Sequence, residues 1–143
     1  MGAGRIARAA AQVGLGAALA FAGRGHLTNL RQEFQAQVPP WVPADPDVVV
    51  LASGVVEIGL GVALVATWRQ PLRAWVGAGT ALFFVAIFPG NIAQYVEQRD
   101  AFGLDTDTKR AVRLAFQPLL VAWAIVATDA WRTLRPASDD APV

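Results

Sequence analysis

Four long apolar blocks constrain this chain more than any other feature: Ile6 to Ala22, Val48 to Thr67, Leu72 to Phe88 and Ala111 to Ala130. Each falls within or near the ~17 to 25 residues that span the hydrocarbon core of a bilayer. The apolar residues fill the blocks instead of alternating with period two or forming a single stripe, which is membrane patterning. A lipid-facing backbone must satisfy its own hydrogen bonds, and blocks this long, rich in Ala and Leu, do so as helices and not as barrel strands. The expected fold class is therefore all-α, a four-transmembrane-helix antiparallel bundle with spans at about 6–23, 47–68, 71–92 and 109–131. These spans form one membrane domain over residues 1–134, with 135–143, "RPASDDAPV", as a solvated, disordered cytoplasmic tail.

Composition narrows what such a bundle can do. Of 143 residues, 55% are hydrophobic and 16% charged, and a net charge of +1 spread along the loops gives no basic patch, so nucleic acid is set aside as a partner. The absence of cysteine removes disulfides, thiolate nucleophiles, iron–sulfur clusters and Cys-rich zinc sites, so a redox role would need a borrowed cofactor or partner. His26 and Glu33 lack zinc-ligand spacing. "DTDTK" at Asp105 to Lys109 lacks the glycine and closing glutamate of a calcium loop; Asp105, Asp107 and Thr108 read as caps of the fourth span. No metal site and no covalently bound cofactor is expected.

The first block has two readings. Arg5 and Arg8 precede an apolar run ending in Ala20, Phe21 and Ala22, an A-x-A site, so the block reads either as a span or as a cleaved signal peptide that would leave a chain starting at "GRGHL". As a span, its Ala10, Gly14, Ala18 and Ala22 form a small-residue stripe that predicts a packed helix.

Beyond it, Leu27, Leu30, Phe34 and Val38 share one helical face until Pro39 and Pro40, which predicts a short interfacial helix between the first two spans and then a proline-rich turn holding Trp41. Asp45 and Pro46 supply an N-cap and a first-turn proline for the second span. "WRQPLRAW" is so short that the second and third spans should be antiparallel neighbours in a tight hairpin, with Pro71 in the first turn of the third. Trp68, Trp75 and Trp131 then mark one membrane face. Positive residues tie at six on each side, but Arg5, Arg8, Arg69 and Arg73 lie against span ends, which favours cytoplasmic termini in a plasma membrane, as in a bacterial inner membrane.

Polar residues inside the blocks carry the functional question. Glu57 sits mid-span, where an acidic side chain costs about 2.5 to 3.5 kcal/mol unless protonated, paired or wet. Gly54 and Gly61, at i−3 and i+4, strip its face of bulk and turn it into the bundle. On the fourth span Arg113 and Gln117 share a face; Arg113, roughly 7 or 8 Å along a helix starting near Thr108, can reach inward, so an Arg113 to Glu57 pair is expected. Pro118 frees the carbonyl of Leu114 beside Gln117. Pro89 and Gly90 are expected to interrupt the third span just before Asn91, exposing carbonyls and an amide together, with Gln94 and Tyr95 following. His26, just beyond the first span on the same side, is the weakest member of the group.

In these residues the chain resembles the DoxX-like family of small four-helix membrane proteins over about Gly23 to Ala130. The resemblance lies in "GRGHL" at Gly23 to Leu27, "VPPWVP" at Val38 to Pro43, "SGVVEIGLG" at Ser53 to Gly61, "FPGN" at Phe88 to Asn91 and "RLAFQPLLVAWA" at Arg113 to Ala124. It implies a shared polar set of His26, Glu57, Asn91, Arg113 and Gln117, and argues against the cleaved-signal reading. Family members usually carry Ala where this chain has Gly90. Some members are linked to quinone-coupled sulfur oxidation or oxidative-stress complexes and many have no assigned activity, so the likeness speaks more to fold than to function.

Three readings follow. The first is a redox-associated membrane subunit that binds a quinone-like or lipidic ligand in a polar pocket around Glu57, Arg113 and Gln117 and works beside a membrane or peripheral redox partner. The second is a non-enzymatic scaffold or assembly factor whose polar network only fixes the bundle and whose small-residue faces recruit another helix, including that of a second copy. The third is a small-solute or proton pathway. Whether the chain is an enzyme stays open.

Overall fold

The computed structural model describes residues 2–136; residues 137–143, and with them most of the expected tail, lie outside it. It is all-helical among these residues: α1 (Ala3–Leu27), α2 (Arg31–Gln35), α3 (Pro46–Ala66), α4 (Leu72–Val96), α5 (Asp107–Ala127) and α6 (Ala130–Thr133). The four long helices, α1, α3, α4 and α5, are each long and apolar enough to cross a membrane, and the chain is a multi-pass membrane protein. Its large apolar side chains face outward: Val55 is 62% and Leu82 68% exposed, as a lipid-facing surface requires.

What faces inward is small or polar. The buried positions of α3 are Val50, Gly54, Glu57, Gly61 and Leu64, a stripe at alternating spacings of four and three. On α1 the matching stripe is Gln12, Gly16, Leu19, Gly23 and His26. The two helices run antiparallel and meet at paired glycines. A Cβ on Gly61 would lie 2.5 Å from the Gly16 carbonyl oxygen, and one on Gly23 would lie 2.6 Å from that of Gly54. Because lipid gives helices no hydrophobic reason to associate, this backbone-to-backbone approach supplies the packing that joins them. The stripe expected on α1 is not the one that meets α3: Ala10, Gly14 and Ala18 are exposed, Ala22 is half-buried, and a Cβ at Gly14 would lie 3.7 Å from the Trp123 ring of α5. Four-residue spacing alone does not identify which of two small-residue faces turns inward.

The second tight pair is α4 with α5, where Gly77 admits the side chain of Thr128, itself bonded to the Ala124 carbonyl at 2.7 Å. The α3–α4 hairpin is present, but its helices meet only loosely. Each packs better on its outer neighbour, because the close-approach residues lie on the other faces. Pro71 is the N-cap of α4, one position before its first turn. A core of Leu15, Leu19, Leu64, Ala81, Phe84 and Ala124 joins the two pairs at mid-bundle.

Polar contacts close both ends. At the termini side the fully buried Gln12 donates from Nε2 to the carbonyls of Leu64 at 2.6 Å and Thr67 at 2.9 Å, capping α3, and accepts from Arg73 Nε at 2.5 Å. Arg73 also donates to the Ala127 carbonyl at 2.6 Å, capping α5. Trp68, Trp75 and Trp131 ring this end, with Arg132 and Arg135 over the Trp131 ring at 5.2 and 4.6 Å. Gln12→Leu is expected to lower stability by about 1 to 3 kcal/mol, since it strands two helix-end carbonyls and an arginine at once. Equilibrium denaturation in mild detergent measures it.

At the opposite end Asp45 caps α3 as expected, accepting from the Asp47 backbone N–H at 2.8 Å. Arg31 forks onto the Asp47 carboxylate and pins α2 to α3, and donating there holds its guanidinium above its ordinary pKa. Thr106, instead of the expected acids or Thr108, caps α5 through its hydroxyl. Asp105 is engaged by Lys109 Nζ at 2.7 Å, which holds its carboxyl below the usual range. Asp107 is taken by Arg110, which also bonds Asp100 and the carbonyls of Gln98 and Arg99 and so organises the α4–α5 loop.

Candidate functional site

Between the two helix pairs, toward the end opposite the termini, lies a cavity of about 620 Å³, a volume typical of small-ligand sites. Its walls are largely apolar, from Leu15 and Leu120 deep in the bundle to Phe34, Trp41 and Phe102 at the interface. The segment from Leu30 through α2 to Trp41 forms the roof. Its Leu30, Phe34 and Val38 turn inward as the sequence pattern anticipated, although the helix itself is only five residues long. The roof is held by Gln37 donating to Gln94 Oε1 at 3.0 Å and by Arg99 donating to the Val38 carbonyl at 3.0 Å. Gly90 matters here. The Gln37 carbonyl occupies the space that a Cβ at Gly90 would fill, so the glycine lets the roof close on α4.

The polar residues of the site form two stations on opposite pairs. On the α1–α3 side, His26 and Glu57 are both buried, and His26 Nδ1 lies 3.1 Å from Glu57 Oε2. The crossing at Gly23 and Gly54 places them there: a Cβ on Gly54 would touch that of His26 at 2.7 Å. The imidazole stacks on Phe34, ring centroids 3.4 Å apart, and its Nδ1 is 2.9 Å from the Ala22 carbonyl. The ring N–H points at that carbonyl, and Glu57 Oε2 is left with no hydrogen-bond donor.

On the α4–α5 side, Gln117 is the hub. Its Oε1 accepts from Arg113 at 3.2 Å and from Asn91 Nδ2 at 3.3 Å, while its Nε2 donates to the Phe84 carbonyl at 2.5 Å. The arginine, having only donors, fixes which way the Gln117 amide points, and that in turn fixes Asn91. Phe84 lies one residue before the carbonyl that Pro89 leaves without its helical donor.

Three expectations change. Arg113 does not pair with Glu57: both line the cavity, but no ion pair joins them among the described residues. Arg113 instead donates to the amide one turn along its own helix, and the glycine crossing gives Glu57 to His26. Second, His26 is not beyond the first helix but in the last turn of α1, and it is the residue closest to Glu57 chemically. Third, α4 is not interrupted at Pro89 and Gly90; it continues to Val96 with Asn91 buried, because a transmembrane helix tolerates a proline where neighbours and side chains occupy the freed groups. Tyr95 instead faces outward, and Gln94 is buried under the roof. Sequence reasoning missed Gln12 and treated Arg110 only as loop charge. A small and polar stripe at heptad spacing on α1 was the signal for the first; only tertiary contacts reveal the second.

Fold and site together define a multi-pass helical membrane protein in which two close-packed helix pairs enclose a largely apolar cavity with a polar station on each side. A family model described as a domain of unknown function, DUF8561, matches residues 15–128, a stretch that contains all five site residues, and the chain belongs to that family. No curated protein and no solved structure matches it.

Proposed function

We propose that this protein is a redox-associated membrane subunit, of the DoxX-like kind its motifs resemble, which binds a quinone-like or other lipidic ligand in the cavity between its helix pairs. The observation that carries this reading is the pairing of a mostly apolar space of about 620 Å³ with an unpartnered, buried Glu57 oxygen in its wall. An intramembrane carboxyl is costly to keep, and one left without a donor beside an open space is best accounted for by a ligand. With no cysteine in the chain, electron transfer would run through the ligand and a partner redox subunit. The reading places the protein in the plasma membrane with cytoplasmic termini.

A second reading, a scaffold or assembly factor, is favoured by small residues on the outer surface such as Gly79 on α4, where a Cβ would meet nothing within 4 Å and another helix or a second copy has room to approach. Mass spectrometry of lipids and quinones that co-purify with wild type and with Glu57→Gln, at matched folding, separates the two. A molecule retained by wild type and depleted about ten-fold or more in the variant supports the ligand site. No selective molecule in either moves the assignment to the scaffold.

A further inference from the structure

We propose that the cavity selects a neutral head group that donates a hydrogen bond to Glu57 and accepts one from Arg113, such as a phenolic hydroxyl carried on an apolar body. The inference rests on the ligand-site reading above and specifies the chemistry that such a site takes.

The donor requirement comes from Glu57. Its Oε2 is buried and lacks any donor. The one nearby nitrogen, His26 Nδ1 at 3.1 Å, directs its N–H to the Ala22 carbonyl. Beside that N–H edge Oε2 is placed as an acceptor. A donor on the ligand supplies the hydrogen bond that this buried acceptor lacks.

The acceptor requirement comes from Arg113. Its guanidinium lines the same cavity, and among the described residues its side chain makes one hydrogen bond, NH1 to Gln117 Oε1 at 3.2 Å. Four of its five N–H groups remain to be used.

Charge then decides between head groups. An anionic head satisfies Arg113 but leaves Oε2 without a donor. A cationic head satisfies Glu57 but opposes Arg113. A head with acceptors only, such as an ether, fills one station and not the other. A neutral hydroxyl fills both, and the walls of Leu15, Phe83, Ile87 and Leu120 take the apolar body.

The test compares 4-dodecylphenol with its methyl ether, which keeps the oxygen acceptor and the apolar body and loses the O–H. Binding to the full chain in phosphatidylcholine nanodiscs is read from quenching of tryptophan fluorescence, since Trp41 lines the cavity. Wild type is expected to bind the phenol about ten-fold or more tightly than the ether, the worth of one buried hydrogen bond. Glu57→Leu, with folding checked by thermal unfolding, should bring the two within about two-fold. If wild type binds both equally, the ligand site stands and the donor rule is overturned. If wild type binds neither, the ligand-site reading falls and this inference falls with it. A phenol preference that persists undiminished in Glu57→Leu removes Glu57 as the recognising group. The wild-type comparison needs no variant, so a poorly folding Glu57→Leu does not protect the proposal.

Discussion

Gly61→Leu is expected to cost about 3 kcal/mol or more and to separate α1 from α3. A Cβ at this position would lie 2.5 Å from the Gly16 carbonyl oxygen and 2.9 Å from the Ala20 nitrogen. Both are backbone atoms inside a helix, so neither can swing aside as the end of a side chain could, and the helices themselves must move apart. In lipid the association of two helices rests on van der Waals contact, so the loss spreads along the whole crossing to Gly23 and Gly54. The separation also carries His26 away from Glu57, because the same crossing sets that distance. Gly59→Leu is the control: it lies on the same helix two residues away, and a Cβ there meets nothing within 4 Å. Thermal unfolding in mild detergent should show a large drop for Gly61→Leu and little change for Gly59→Leu. Equal effects would mean that the glycine contact does not hold the pair.

Gln117→Leu is expected to destabilise the α4–α5 pair by about 2 to 4 kcal/mol, although leucine fills nearly the same space. The substitution removes the acceptor shared by Arg113 and Asn91 and the donor to the Phe84 carbonyl. Asn91 suffers most, since its Oδ1 already lacks a partner and its Nδ2 would then lack one too. Shape is conserved, so the measured loss isolates the hydrogen bonds. Leu119→Ala, on the lipid-facing side of α5 at 63% exposure, should by contrast cost little. Equilibrium unfolding of both variants gives the comparison, and a Gln117→Leu protein as stable as wild type would contradict the hub.

The spans and the inward turn of Glu57 were legible because membrane length and flanking glycines are local signals. The apolar blocks located the helices but not their inner faces: in lipid the outward residues are the apolar ones, and the interior is marked by small and polar residues. Read that way, Gln12, Gly16, Gly23 and His26 on α1, with Leu19 between them, carry the same four-and-three spacing as Gly54, Glu57 and Gly61 on α3. The Ala10, Gly14 and Ala18 stripe has equally small side chains and no polar member, which is why size alone pointed to the wrong face. The pairing of Glu57 was not legible. Depth along the helices allowed Arg113, and depth is what the sequence encodes; rotation is set by glycine crossings between segments some forty residues apart. Arg110 was hidden for a related reason, since its partners are carbonyls that only the folded α4–α5 loop brings together.

The most direct test of the ligand cavity is native mass spectrometry of the protein released from lipid nanodiscs, wild type against Ser53→Trp. Ser53 lines the cavity one turn before Glu57 and makes no side-chain hydrogen bond to the polar stations among the described residues, so an indole there fills the space without disturbing them. Wild type should carry a single bound apolar molecule that survives release, and Ser53→Trp should lose it. The same adduct in both proteins, or none in wild type, would contradict a ligand held between the helix pairs.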